Sequence, residues 1–103
     1  MKQQWINKST DSLFAAVLKL ETLDEVRMFF RDLLTEQEIE EFANRWKVAQ
    51  MLSEKVPYST IERETGMSST TIARVNKYLT GKFGGYKHMI SKTIQNNNHH
   101  TPV

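Results

Sequence analysis

Three times along this 103-residue chain a hydroxyl residue is followed three positions later by glutamate: Thr22 and Glu25, Thr35 and Glu38, Ser59 and Glu62. That spacing is a capping box. The hydroxyl accepts from the third backbone N–H of a helix, and the carboxylate reaches back to the N–H of the capping residue. Apolar residues recur at spacings of three and four after each start, as one face of a helix requires. The fold class that follows is all-α.

The third start opens the most informative stretch, Tyr58 to Gly81. A first short helix carries Ile61 inward and stops at Gly66, the residue type that best tolerates the left-handed backbone at a helix end. Ser68 or Ser69 then caps a second helix, along which Ile72, Val75 and Leu79 share a face. Thr70, Thr71, Arg74 and Lys77 fall mostly on the opposite face. A helix with an apolar inner side and hydroxyls and cations outside suits the major groove of DNA, and the pair reads as a helix-turn-helix. A plain helical hairpin with its outer face in water would share the apolar spacing. The agreement of cap, hinge glycine and periodicity within 24 residues favours the first reading.

The rest of the chain reads as scaffold. Residues 1–9 form a polar arm in which Trp5 and Ile6 pack either on their own domain or across a partner subunit. A helix is expected from Thr10 to about Leu20, with Leu13, Phe14, Val17 and Leu18 on its apolar face. The next, to about Leu34, carries Leu23, Val26, Met28, Phe29, Phe30, Leu33 and Leu34, a stripe wide enough to imply a dimer interface. A third, from Glu36 to about Glu54, would be roughly 28 Å long. Its early glutamates suit the positive end of the helix dipole and read as a solvated face. Lys55-Val56-Pro57 turns the chain into the helix-turn-helix. Beyond Gly84-Gly85, Tyr86, Met89 and Ile90 imply a last short helix, and 93–103 a disordered polar tail. The organisation is thus an arm (1–9), one helical domain (10–92) and a tail.

Composition removes several function classes. There is no cysteine, hence no disulfide, thiolate nucleophile or cysteine-based zinc site. His99 and His100 stand together in the tail without a third ligand, so no metal site and no cofactor are read. No nucleophile–base pair or phosphate loop is present, and the chain is not expected to be an enzyme. Neither an apolar leader nor a run approaching a membrane span occurs, which points to the cytoplasm. The net charge of +2 is uneven. Residues 1–54 hold seven Lys/Arg against ten Asp/Glu; residues 55–103 hold seven against two, Glu62 and Glu64. Positive charge therefore gathers around the helix-turn-helix, with Lys82, Lys87 and Lys92 flanking it, where DNA phosphates would need it.

From about Leu23 to Tyr86 the chain resembles the Trp repressor superfamily, and within it the YerC/YecD-like family of small helix-turn-helix proteins. The match rests on EFANRWKVAQML, ERETGMSS, TTIARVNKYL and GKFGGY. The resemblance implies an intertwined all-helical homodimer whose paired recognition helices enter successive major grooves about 34 Å apart, on a roughly palindromic operator. It implies that Ser69, Thr70 and Ala73 reach base edges. With Ser68, Thr71, Arg74 and Lys77 these make up the candidate DNA-binding residues. Thr methyls suit thymine methyls, and the hydroxyls suit either bases or phosphates. In tryptophan-binding members two arginines clamp the amino acid and a glycine makes room for the indole. Here Arg74 matches one arginine, Asn44 stands at the other with Arg45 one residue away, and Val75 replaces the glycine. Tryptophan is therefore not expected as corepressor. The function expected is a sequence-specific transcriptional repressor. The alternatives are a replication- or chromosome-associated DNA-binding module, or an interaction adaptor that has lost DNA binding.

Overall fold

The computed structural model describes residues 3–100, with side chains described as far as Ile94. Its described residues form six helices and no strand: α1 (Lys8–Val17), α2 (Leu23–Leu33), α3 (Glu36–Ser53), α4 (Tyr58–Thr65), α5 (Ser69–Leu79) and α6 (Gly85–His100). They fall into two compact units, Met1–Ile39 and Glu40–Val103, with the boundary in the first turn of α3.

In the first unit the helix starts are set by side-chain caps. Thr22 Oγ1 accepts from Glu25 N–H at 3.1 Å, as the spacing implies. The Glu25 carboxylate, however, accepts from Glu21 N–H (2.8 Å), one residue before the cap, so only half the box forms. At the start of α3 the box is complete: Glu38 N–H donates to Thr35 Oγ1 and Thr35 N–H to Glu38 Oε1, at 3.1 and 2.9 Å. The Thr35 backbone N–H, and then its hydroxyl, hold the Glu38 carboxyl below the usual carboxylate range. The first helix departs from expectation. It starts at Lys8 and not at Thr10, because Asn7 is the cap: Thr10 N–H donates to Asn7 Oδ1 and Asn7 N–H to Thr10 Oγ1.

Neither α1 nor α2 contains a fully buried residue. Val26, Phe29 and Phe30 are half-covered, but Leu18, Leu23 and Met28 are 86%, 64% and 68% exposed. The apolar stripe read in the sequence is thus real, with Leu23, Met28 and Leu33 exposed and Val26, Phe29, Phe30 and Leu34 half-covered.

The second unit holds the core. Val48, Ala49 and Leu52 from α3, Ile61 from α4, and Ile72, Val75 and Leu79 from α5 are buried together. Burying such aliphatic side chains contributes roughly 1.5–3 kcal/mol each. Trp46, Met51, Val56, Met67, Tyr86 and Ile90 pack around them. Trp46 of α3 and Tyr86 of α6 stack with ring centroids 6.3 Å apart.

The start of α4 and the end of α6 differ from expectation, while α3 ends within a residue of where it was expected. The Ser59–Glu62 pair does not cap α4. The helix begins two residues earlier than that box would set it, at Tyr58, with Pro57 as N-cap and no side-chain cap bond. Proline's fixed φ, here −62°, sets the entry and leaves Ser59 inside the first turn, where its hydroxyl cannot reach a third N–H beyond itself. α3 ends in a Schellman motif, with Val56 N–H donating to Met51 O and Lys55 N–H to Leu52 O. Lys55 takes the left-handed position, φ 65°, where glycine is usual. α6 is also longer than the short element expected and takes in residues 93–100 of the segment read as a tail. Residues 101–103 lie outside the described residues, as do the side chains of His99 and His100.

Candidate nucleic-acid interface

In the turn between α4 and α5, three residues, Thr65, Gly66 and Ser68, answer the same problem, the unpaired backbone groups at helix ends. Thr65 Oγ1 donates to Ile61 O at 2.7 Å and accepts from Met67 N–H at 3.2 Å. Gly66 takes the left-handed conformation (φ 73°) while its N–H donates to Glu62 O at 2.8 Å. Met67 packs on the core. Ser68 caps α5, its Oγ accepting from Thr71 N–H at 3.2 Å and donating to Thr71 Oγ1 at 3.1 Å. Ile61 and Ile72, both fully buried, lock α4 onto α5 from beneath.

This arrangement sorts the seven candidate residues. Ser68 and Thr71 are engaged with each other, and Thr71 is half-buried. Thr70, Ala73, Arg74 and Lys77 are exposed on the side of α5 away from Ile72, Val75 and Leu79, and Ser69 is exposed on the flank of its first turn. Thr70 and Lys77, seven residues apart, lie roughly 20° from each other around the axis, with Ala73 and Arg74 on either side. No described hydrogen bond engages the Ser69 or Thr70 hydroxyl, and neither Arg74 nor Lys77 belongs to a described ion pair. Arg45 differs: it bridges Glu41 at 2.7 Å on its own helix and lies 5.4 Å over the Phe42 ring. The cations of α5 are thus uncommitted, and the nearest arginine of α3 is not.

Beside α5 lies a cleft of about 240 Å³ lined by Arg45, Thr71, Arg74, Val75, Tyr78 and Tyr86. Tyr78 and Tyr86 also line a larger, apolar cavity of about 540 Å³ with Trp46, Phe83 and Met89. Val75 is only 2% exposed and belongs to the core. Asn44 is half-buried and lines neither cavity. The sequence did not single out Tyr78. Its position, four residues after Arg74 and three after Val75, is the signal that would have placed it at the cleft. Charge follows the same division: residues 40–103 carry nine Lys/Arg against five Asp/Glu, residues 1–39 five against seven. Among the described residues no group of three His, Cys, Asp or Glu could hold a metal ion, and no helix is long and apolar enough to cross a membrane.

The Trp repressor protein family matches residues 8–94, nearly the whole described chain. The chain belongs to the Trp repressor family. An uncharacterised protein, YerC, of Bacillus subtilis (strain 168) is 47% identical to this chain over 72 residues, 70% of this chain and 69% of that protein. A crystal structure of a TrpR-like protein from Eubacterium eligens ATCC 27750 superposes with a TM-score of 0.84 at 36% identity, covering 89% of this chain and 95% of that one. A candidate Trp repressor from Staphylococcus aureus gives 0.82 at 35%, with the same coverage. Fold and membership agree: this is a YerC-like Trp repressor family protein, whose helix-turn-helix is α4–α5. The Trp repressor fold supports a DNA-binding regulator at that coarse level.

Proposed function

We propose that this protein is a sequence-specific transcriptional repressor that binds a roughly palindromic operator as a homodimer, without tryptophan as corepressor. The observation that carries the reading is the outer face of α5. Two hydroxyls, a methyl and two cations without acidic partners stand together on a helix braced from behind by a fully apolar core. Cations free of internal partners are available to phosphates or guanine without first breaking an ion pair. Dimerisation accounts for the exposed Leu18, Leu23 and Met28 on a unit whose helices α1 and α2 bury no residue fully. Independence from tryptophan rests on Val75, whose side chain fills core space beside the cleft where the tryptophan-binding members have glycine.

Selection of bound duplexes from a random DNA pool tests the reading. A palindromic consensus with half-sites one helical turn apart is expected. Binding without a consensus would favour a chromosome-associated module. Absence of salt-dependent binding even at low ionic strength would leave the adaptor reading. Saturable micromolar binding of L-tryptophan in a calorimetric titration would overturn the corepressor claim.

A further inference from the structure

The outer face of α5 is unusual in what it lacks. Between Ser69 and Leu79 there is no Asp, Glu or Gln, and the one amide, Asn76, is half-buried on the flank that turns toward the core. The bidentate pairings that identify adenine (Asn or Gln) and the acceptors that identify cytosine (Asp or Glu) are therefore missing from the face. Arg74 and Lys77 supply only donors, which suit the O6 and N7 acceptors of guanine. What remains that marks an A·T pair, beside hydroxyls that serve any base, is the thymine C5-methyl group. The two methyl-bearing side chains on the exposed face are Thr70 and Ala73.

These two stand three residues apart on one face, with Cβ atoms about 5–6 Å from each other. Base pairs repeat at about 3.4 Å, so the two methyls span one to two base steps. Both side chains are short, which lets the helix backbone come close to the base edges. No described hydrogen bond ties the Thr70 hydroxyl to its own helix, whereas Thr71 is held by Ser68.

We propose that Thr70 and Ala73 identify pyrimidines by their C5-methyl group, so that the protein accepts 5-methylcytosine where it accepts thymine and its binding responds to cytosine methylation. The inference rests on α5 being the DNA-reading helix. A C5-methyl projects into the major groove from either base, and an apolar contact with it does not distinguish the ring that carries it.

The test uses the full chain and the operator selected from the random pool, titrated by fluorescence anisotropy. Each thymine is replaced in turn by uracil, which removes only the methyl. At one or two positions per half-site, uracil should weaken binding about fourfold, the equivalent of one buried methyl, and on the order of tenfold when both half-sites are changed. At the same position 5-methylcytosine·G should bind about fourfold tighter than cytosine·G. Thr70→Ser, which keeps the hydroxyl and removes the methyl, should erase the thymine–uracil difference at one position, and Ala73→Gly at the neighbouring one. Salt-dependent binding of the selected operator with thymine and uracil equivalent everywhere would overturn the proposal and leave the regulator reading intact. A thymine–uracil difference of unchanged size in both variants would overturn its assignment to these residues. Failure to bind any duplex would remove both readings together.

Discussion

Arg74 and Lys77 are the residues on which affinity for DNA should depend most simply, because neither has an ion pair to give up. For Arg74→Ala the account expects weaker binding to every duplex and a salt slope smaller by about one if the guanidinium meets a phosphate. If it meets guanine, the loss should instead be about 1–3 kcal/mol and confined to sequences carrying that base. Filter binding at several salt concentrations separates the two, and unchanged affinity and slope would remove Arg74 from the interface. Lys55 offers a stability test at the same scale. It is held at φ 65°, a conformation costing an L-residue roughly 1–2 kcal/mol, so Lys55→Gly should stabilise the fold by about 1 kcal/mol in urea unfolding. A lower urea midpoint would show that the lysine side chain makes a contribution larger than its backbone cost.

Elements were legible in the sequence wherever a helix end carried its own chemistry. Thr22, Thr35 and Gly66 each satisfy a backbone group within four residues, so a local pattern was enough to find them, and it narrowed the cap of α5 to Ser68 or Ser69. Ser59 misled for the same reason: the pattern was present, but Pro57 had already set where α4 begins. The start of α1 was expected at Thr10 and lies at Lys8, because Asn7 takes the capping position and draws Thr10 into the first turn. The left-handed Lys55 and the helical run from Thr93 onward had no residue signature at all, since lysine is rarely found there and asparagine-rich sequence favours no helix. At the candidate site the residue types were readable, but which hydroxyls were already occupied was not. That division gives a prediction for α5. Ser68→Ala should destabilise the protein by about 1 kcal/mol through loss of the cap, measured by thermal unfolding. Ser69→Ala should leave stability unchanged and alter DNA affinity. The opposite pattern would reverse the roles assigned to the two serines.

At the scale of the whole molecule, the two units divide the labour. Residues 40–103 hold the core, the basic excess and the helix-turn-helix, while residues 1–39 carry the exposed apolar side chains Leu18, Leu23 and Met28. Sedimentation equilibrium should therefore find twice the chain mass at micromolar concentration. Met28→Asp, at a position already exposed in the single chain, should shift the protein toward monomer while retaining its helical circular dichroism. A chain mass independent of concentration, with Met28→Asp without effect, would contradict the dimer. The claim beneath all of this is that the outer face of α5 is the surface that meets DNA. Backbone amide NMR spectra, recorded as the selected operator is added, test it most directly. The largest shifts should fall on Ser69, Thr70, Ala73, Arg74 and Lys77; saturating binding with those amides unmoved, and the shifts confined to α1 and α2, would show that another surface meets DNA.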